Sequence, residues 1–327
     1  MYPFEYQRPT TIDAALSAVG AGGKFIGGGT NLVDLMKAGI ERPQRLIDVN
    51  HLRLETIENT PEGGLRIGAG ARNSDVAAHA DVQHRYPLLS QALLAGASPQ
   101  LRNMATVGGN LLQRTRCDYF VDTGFPKCNK RAPGSGCGAR EGYHRMHAIF
   151  GASPQCIAVN PGDMSVALLA LDAAVVVRSR TGERRIALAD FHRLPGDHPE
   201  RDTNLAPGEL IVAVELPASR FAAHSHYLKV RDRASYAFAL VAVAAGLDVA
   251  DGRIRGARIA LGGVAHKPWL AADAAALLQD KAPADIDYDA VAKAATAGAE
   301  PLRDNAYKVP LAARAVRRAV ERALEAA

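Results

Sequence analysis

The chain has 327 residues, a net charge of +5, an isoelectric point near 9.1 and 48% apolar residues at a mean hydropathy of −0.08. That length fits about two domains with sizeable cores. The mild, scattered basicity does not describe a nucleic-acid-binding surface, and no run approaches the roughly 18 apolar residues of a membrane span. The opening segment, Met1 to Pro9, has neither a basic nor an apolar leader region, so the chain is expected to carry no secretion signal of its own and to be assembled in the cytosol.

Thr11 caps an expected helix over Ile12–Val19, stopped by Gly20, Gly22 and Gly23. A short strand, Lys24-Phe25-Ile26, runs into Gly27-Gly28-Gly29-Thr30-Asn31, and a helix over Leu32–Ala38 follows. Strand, glycine turn and helix in this order let backbone N–H groups face an anion. Position 32 is leucine, so the run is not a dinucleotide fingerprint of the Rossmann kind, and no Gly-Lys-Ser/Thr makes it a P-loop. By itself it fits a phosphate cradle or an ordinary tight turn. A strand over Arg45–Val49 closes a first lobe of about residues 1–53. The second lobe, about 54–221, is expected to hold strands near 54–58 and 65–69, helices over 74–82 and 87–97, and a second glycine turn at Thr106-Val107-Gly108-Gly109-Asn110. A helix over 164–171 and strands near 173–177, 185–188 and 210–216 complete it. From about residue 222 the pattern changes to long antiparallel strands, at Tyr227–Val230, Ala237–Val249 and Ile254–Val264. Helices near 271–279, 287–298 and 310–325 follow, giving an α+β C-terminal domain over 222–327.

All four cysteines, Cys117, Cys128, Cys137 and Cys156, fall between residues 114 and 157, and the first comes seven residues after Asn110. The intervening Pro, Gly, Lys and Arg cannot build an apolar core, and so long a loop in a compact domain needs a staple. Four thiolates around one metal centre would supply it. The gaps of ten, eight and eighteen residues contain no Cys-x-x-Cys, which sets aside zinc-ribbon and bacterial-ferredoxin patterns without naming the metal. Disulfides or free thiols in a solvated basic loop are the alternative. Arg114, Arg116, Lys127, Lys130, Arg131, Arg140 and Arg145 offer the thiols a positive setting. His144 and His147 read as loop residues.

With both glycine turns, the Asn160-Pro161-Gly162-Asp163 cap and the Lys229-to-Ala237 segment in order, the whole chain resembles the FAD-binding medium subunits of the molybdenum hydroxylases. That family includes xanthine dehydrogenase, carbon monoxide dehydrogenase and aldehyde oxidoreductases. The resemblance implies a two-lobed flavin domain of the vanillyl-alcohol-oxidase (PCMH) type over 1–221 and a CO-dehydrogenase-flavoprotein-like domain after it. It implies FAD held without a covalent link, with Lys24 to Asn31 and Thr106, Gly108, Gly109 and Asn110 on its pyrophosphate. Asp163, Ile211 and Lys229 would lie near the flavin ring. The four-cysteine insertion is similar to that of bacterial periplasmic aldehyde oxidoreductases, which implies a [4Fe–4S] cluster on Cys117, Cys128, Cys137 and Cys156. A 4-hydroxybenzoyl-CoA reductase or xanthine-dehydrogenase-like complex is the more distant reading; a free-standing flavin oxidase and a zinc-stapled scaffold are rivals of other classes. The implied partners are a large molybdenum-cofactor subunit, a small subunit with two [2Fe–2S] clusters and an external acceptor such as ferredoxin or a quinone. No catalytic side chain is expected in this chain, and export to the periplasm would be as a passenger of a partner's twin-arginine signal.

Overall fold

Three sheets carry the chain in a computed structural model that describes residues 1–326. The first lobe is a parallel sheet in the order β1-β3-β2, with β1 at Glu5–Gln7, β2 at Gly23–Ile26 and β3 at Arg45–Asp48. Parallel neighbours need crossover connections, and the helices Ile12–Val19 and Leu32–Lys37 lie in them. Thr11 caps the first, its hydroxyl accepting from Ala14 N at 3.2 Å. The β1 strand was not expected from the sequence.

The second lobe is an antiparallel sheet in the order β4-β5-β8-β6-β7, with β4 at Ile57–Asn59, β5 at Leu65–Gly68, β6 at Ala174–Ser179, β7 at Gly182–Ala187 and β8 at Leu210–Leu216. Between β5 and β6 come most of the lobe's helices, the second glycine turn and the cysteine insertion. The helix expected over 74–82 is two, Asn73–Ala78 and Ala80–Arg85, because His79 between them is extended at φ −65°, ψ 131°. A further helix, Pro99–Met104, capped by the Ser98 hydroxyl, leads into the second glycine turn and was not anticipated. The helix Asp163–Ala170 is buried from Met164 onward, as befits an element packed between two sheets. Ala15, Leu16, Val19 and Ile47 join Val176, Leu210, Val212 and Ala213 in one apolar cluster that seals the first lobe to the second.

The C-terminal domain is an antiparallel sheet in the order β12-β11-β10-β9, with β9 at Ser225–Val230, β10 at Val241–Ala250, β11 at Arg253–Gly262 and β12 at Trp269–Leu270. Asp251 and Gly252, at φ 52° and 70°, make the two-residue turn between β10 and β11, the backbone a right-twisted hairpin favours. The helices Ala272–Ala276, Tyr288–Ala295 and Lys308–Glu325 complete it. β10 starts at Val241, not Ala237, since residues 231–240 form an irregular loop with Tyr236 at φ 52°.

The insertion is not a solvated basic loop. Phe120, Ala139, Ala148, Ile149, Phe150 and Ile157 are buried, as are Lys130, His144 and His147. Lacking a core of its own, it uses its neighbours' cores. Phe120 and Cys128 cluster with Leu35 of the first lobe, and Ile149 and Phe150 belong to the core of the C-terminal domain. The fully buried Lys308 fastens it by donating from Nζ to Met146 O and His147 O at 3.0 Å and to Gly263 O at 2.7 Å.

Candidate functional site: a cofactor cleft beside a cysteine pocket

The two glycine turns meet backbone to backbone. A Cβ on Gly28 would lie 1.8 Å from Met104 O, and one on Gly27 would lie 2.8 Å from the Thr106 hydroxyl. Gly29 takes φ 72°, a conformation costly for any residue with a side chain. A cavity of about 290 Å³, lined by Lys24 to Leu32, Thr106 and Gly109, adjoins one of about 600 Å³, lined by Asn110, Asp163 and Lys229 among others. Thr30, Asn31 and Gly109 belong to both, so the turns stand at the waist of one long cleft. Lys24 does not face the cleft as a free charge: its Nζ pairs with Glu41 at 2.5 Å.

The turns differ in what they offer an anion. Among the described residues, the N–H groups of Gly28, Gly29, Thr30 and Asn31 have no protein acceptor. Asn31 accepts from Arg114 N at 3.0 Å through Oδ1, leaving its buried Nδ2 without a partner. A buried donor without an acceptor is costly unless a ligand supplies one, and a diphosphate oxygen at the waist would do so. The second turn is already satisfied. Val107, Gly108 and Asn110 donate to Ala71 O, Ala69 O and Thr106 O, and Gly109 to the Thr106 hydroxyl at 3.2 Å. The second turn's N–H groups are thus engaged within the chain, whereas those of the first stand free for an anion. Thr106 caps the helix Val107–Leu111 with those groups, and the second turn contributes close approach instead.

In the wider half, Asp163 and Lys229 form a buried ion pair, Nζ to Oδ2 at 2.8 Å. Tyr227 donates to the other carboxylate oxygen at 2.8 Å, and Lys229 also donates to Ala95 O at 3.1 Å. Burial, then the Asp163 charge, pushes the Tyr227 phenol well above its ordinary range, so it remains a donor. Ile211 is buried behind the second turn, 3.7 Å from where a Cβ of Gly108 would stand, and does not line either cavity. Gly108 itself packs on Ala69.

The four cysteines line one small pocket of about 10 Å³ and form no disulfides. Cys128 and Cys137 are bridged across it in antiparallel register. Among the described residues no group of three or more His, Cys, Asp or Glu converges as around a single ion. Burial pushes the Cys117 thiol up to about 12 and the Cys156 thiol up to about 11, so both are neutral when unligated and metal binding would release their protons. Ala158 N donates to Cys156 Sγ at 3.4 Å, and His147 Nε2 stands 3.1 Å from Cys117 Sγ. His147 is a loop residue, as expected, but its ring touches the Cys117 thiol from outside the pocket, whereas His144 accepts from Asp304 N.

The basic residues are also less free than their sequence suggested. Arg114 pairs with Glu41 at 2.8 Å and Asp202 at 2.7 Å, and Lys130 pairs with Asp202 at 2.5 Å. Arg145 pairs with Asp232, and Arg131 is bound to backbone carbonyls. Burial works against the ionised Asp202, but Lys130 and Arg114 outweigh it and hold that carboxyl down at about 2.

A long cleft with a backbone anion cradle at its waist and a buried polar cluster in its wider half defines a protein that holds an elongated diphosphate-bearing cofactor. Residues 2–219 match the FAD binding domain in molybdopterin dehydrogenase, and residues 226–323 match the CO dehydrogenase flavoprotein C-terminal domain. The chain is 56% identical over 317 residues to the aldehyde oxidoreductase FAD-binding subunit PaoB of Escherichia coli, covering 96% of each chain. It is 27% identical to the glyceraldehyde dehydrogenase medium chain of Sulfolobus acidocaldarius, over 83% of this chain and 80% of that one. Among solved structures it superposes on carbon monoxide dehydrogenase from Hydrogenophaga pseudoflava with a TM-score of 0.76 at 27% identity, covering 99% of both chains. Quinoline 2-oxidoreductase from Pseudomonas putida gives 0.75 at 26%, covering 99% and 98%. The chain belongs to the FAD-binding medium subunits of the molybdenum hydroxylase family and is an oxidoreductase subunit.

Proposed function

We propose that the chain is the FAD- and [4Fe–4S]-carrying electron-transfer subunit of a heterotrimeric, molybdenum-dependent aldehyde oxidoreductase. The observation that carries this is the placement of four unpaired cysteines around one pocket, beginning seven residues beyond the second glycine turn. A cubane spreads its thiolates over separate corners, which suits four thiols around a common space without convergence on one ion and fits a mononuclear zinc site less well. The aldehyde substrate class rests on the name of the 56% identical relative.

When bound, FAD supplies a two-electron acceptor that releases electrons onward. The chain's own residues do the rest. Gly28 to Asn31 present N–H groups and the Asn31 amide to the diphosphate. Tyr227, Asp163 and Lys229 form a fixed, internally neutral polar group along the wider half. Cys117, Cys128, Cys137 and Cys156 would hold the cluster. Oxidation of the aldehyde is assigned to a large molybdenum subunit, relay to a small subunit with two [2Fe–2S] clusters, and discharge to an external acceptor such as ferredoxin or a quinone. Assembly in the cytosol and export with a partner that bears a twin-arginine signal complete the proposal.

The test is purification of the assembled complex with iron, acid-labile sulfide, zinc and FAD counted per chain. Eight iron and eight sulfide per heterotrimer are expected, four of each from this chain's cluster and four of each from the small subunit's two [2Fe–2S] clusters, with one acid-releasable FAD. One zinc with only four iron and four sulfide would sink the cluster assignment, and aldehyde oxidation by this chain alone would sink the division of labour. Periplasmic recovery of the chain expressed without partners would overturn passenger export.

A further inference from the structure

Arg116 is the insertion's one basic residue that lines the wider half of the cleft. It stands in the shared wall between that cavity and a second of about 150 Å³, which Cys117, His147, Asp163 and Tyr227 also line. Its neighbour Arg114 is neutralised by Glu41 and Asp202. Arg116 makes no ion pair among the described residues, its Nε is buried without a hydrogen-bond partner, and its guanidinium lies 5.4 Å over the Phe238 ring. Of the other charges of that half, Lys229 is paired with Asp163 and Asp232 with Arg145, Arg102 donates to the carbonyls of Gly96 and Leu94, and Arg233 donates to Tyr236 O; Asp34 also lines the half and acts on Arg116 through space without forming an ion pair with it. Arg116 therefore brings into the cleft a positive charge that no carboxylate pairs with directly. Burying a cation without a carboxylate is unfavourable, and is explicable if its counter-charge arrives with the cofactor.

We propose that Arg116 is a charge-setting residue of the flavin site, its guanidinium stabilising the negative charge that the flavin ring gains on reduction. The inference rests on the assignment of this cleft to FAD. Two electrons from the partner-held centres and one proton from solvent leave one net negative charge on the ring system, and a cation in a water-poor wall favours that form over the oxidised, neutral one. Because Arg116 precedes Cys117 in the chain, the same insertion would supply a cluster ligand on one side of the wall and the flavin's counter-charge on the other.

The test uses the assembled complex with Arg116→Gln and Arg116→Lys, measuring the flavin midpoint potential by spectroelectrochemistry together with FAD and iron content. Arg116→Gln should retain FAD and iron while its reduced flavin is disfavoured at least tenfold, about 30 mV lower for a two-electron couple. Arg116→Lys should recover most of that shift. An unchanged potential in Arg116→Gln with full FAD overturns the proposal, as does loss of FAD or iron from both variants, which would make Arg116 structural. Wild-type complex without FAD would instead refute the assignment of the cleft.

Discussion

Replacing Gly28 by alanine puts the meeting of the two turns to a direct test. The added methyl would sit 1.8 Å from Met104 O and 2.6 Å from Met104 C, and Cβ atoms essentially never approach closer than 3.0 Å. Met104 O belongs to backbone and cannot swing aside, so the turns must part by roughly 1 Å. Such overpacking typically costs about 1–3 kcal/mol, and here the distortion falls on the N–H groups of Gly28 to Asn31. Without FAD that cost lowers the unfolding temperature; with FAD it also spoils the cradle. FAD affinity should therefore fall on the order of 10- to 100-fold, since 1.4 kcal/mol is a factor of ten. The assay is titration of the deflavinated complex with FAD, followed by flavin fluorescence, with the apo unfolding midpoint as control. Gly27→Ala is the companion: its methyl meets only the Thr106 side chain, Oγ1 at 2.8 Å and Cγ2 at 3.3 Å, which can turn aside at the cost of its cap bond from Gly109 N, so a milder loss is expected. Wild-type FAD affinity in Gly28→Ala, or a larger loss in Gly27→Ala, would refute the reasoning.

Asp202→Asn should destabilise the chain by about 3–5 kcal/mol, because it leaves the buried Lys130 and Arg114 without their shared anion; an unchanged thermal midpoint would show that water or Glu200 replaces it. Acid lability should appear well above the carboxylate range. Burial pushes His192 and His266 down to about 4, so the unfolded chain binds more protons and stability falls as pH drops from about 6.5 to 4, by up to about 3 kcal/mol per histidine. Flat stability across that window, in denaturant melts of the apo chain, would contradict the burial. Lys308→Met removes the donor to three carbonyls; at about 1 kcal/mol or more for each unsatisfied group, the apo chain should lose at least about 3 kcal/mol and load less iron. Cys117→Ala should lose iron and much of the FAD and Cys137→Ala iron with less FAD, as Cys117 is the thiol tied by a short tether to the second turn; equal FAD content in the two would dismiss the tether.

The parts of this site legible in the sequence are those whose chemistry is local. A glycine run between strand and helix, a threonine cap and four clustered cysteines each announce themselves within a few positions. What the sequence withheld depends on partners far away. That Arg114 is neutralised and Arg116 is not follows from Glu41 and Asp202, 73 and 88 positions from Arg114. The satisfaction of the second turn's N–H groups requires knowing that Ala69 and Ala71 run beside it. The insertion read as coreless because its composition is polar; its few apolar residues, Phe120, Ile149 and Phe150, are buried in cores made by other segments. His79 breaks a helix and residues 231–240 delay a strand through backbone geometry that local propensity does not record.

The anchoring of the insertion by the last helix also fixes a chronology. The four cysteines leave the ribosome long before Asn305 and Lys308, whose side chains hold the carbonyls of Met146, His147 and Ala148 in place. Until the end of the chain has been synthesised and docked, the limb that carries His147 and leads to Cys156 lacks these two clamps, and the core that takes Ile149 and Phe150 lacks the last helix. The insertion is therefore clamped last, and a truncated or stalled chain is expected to hold this limb more loosely.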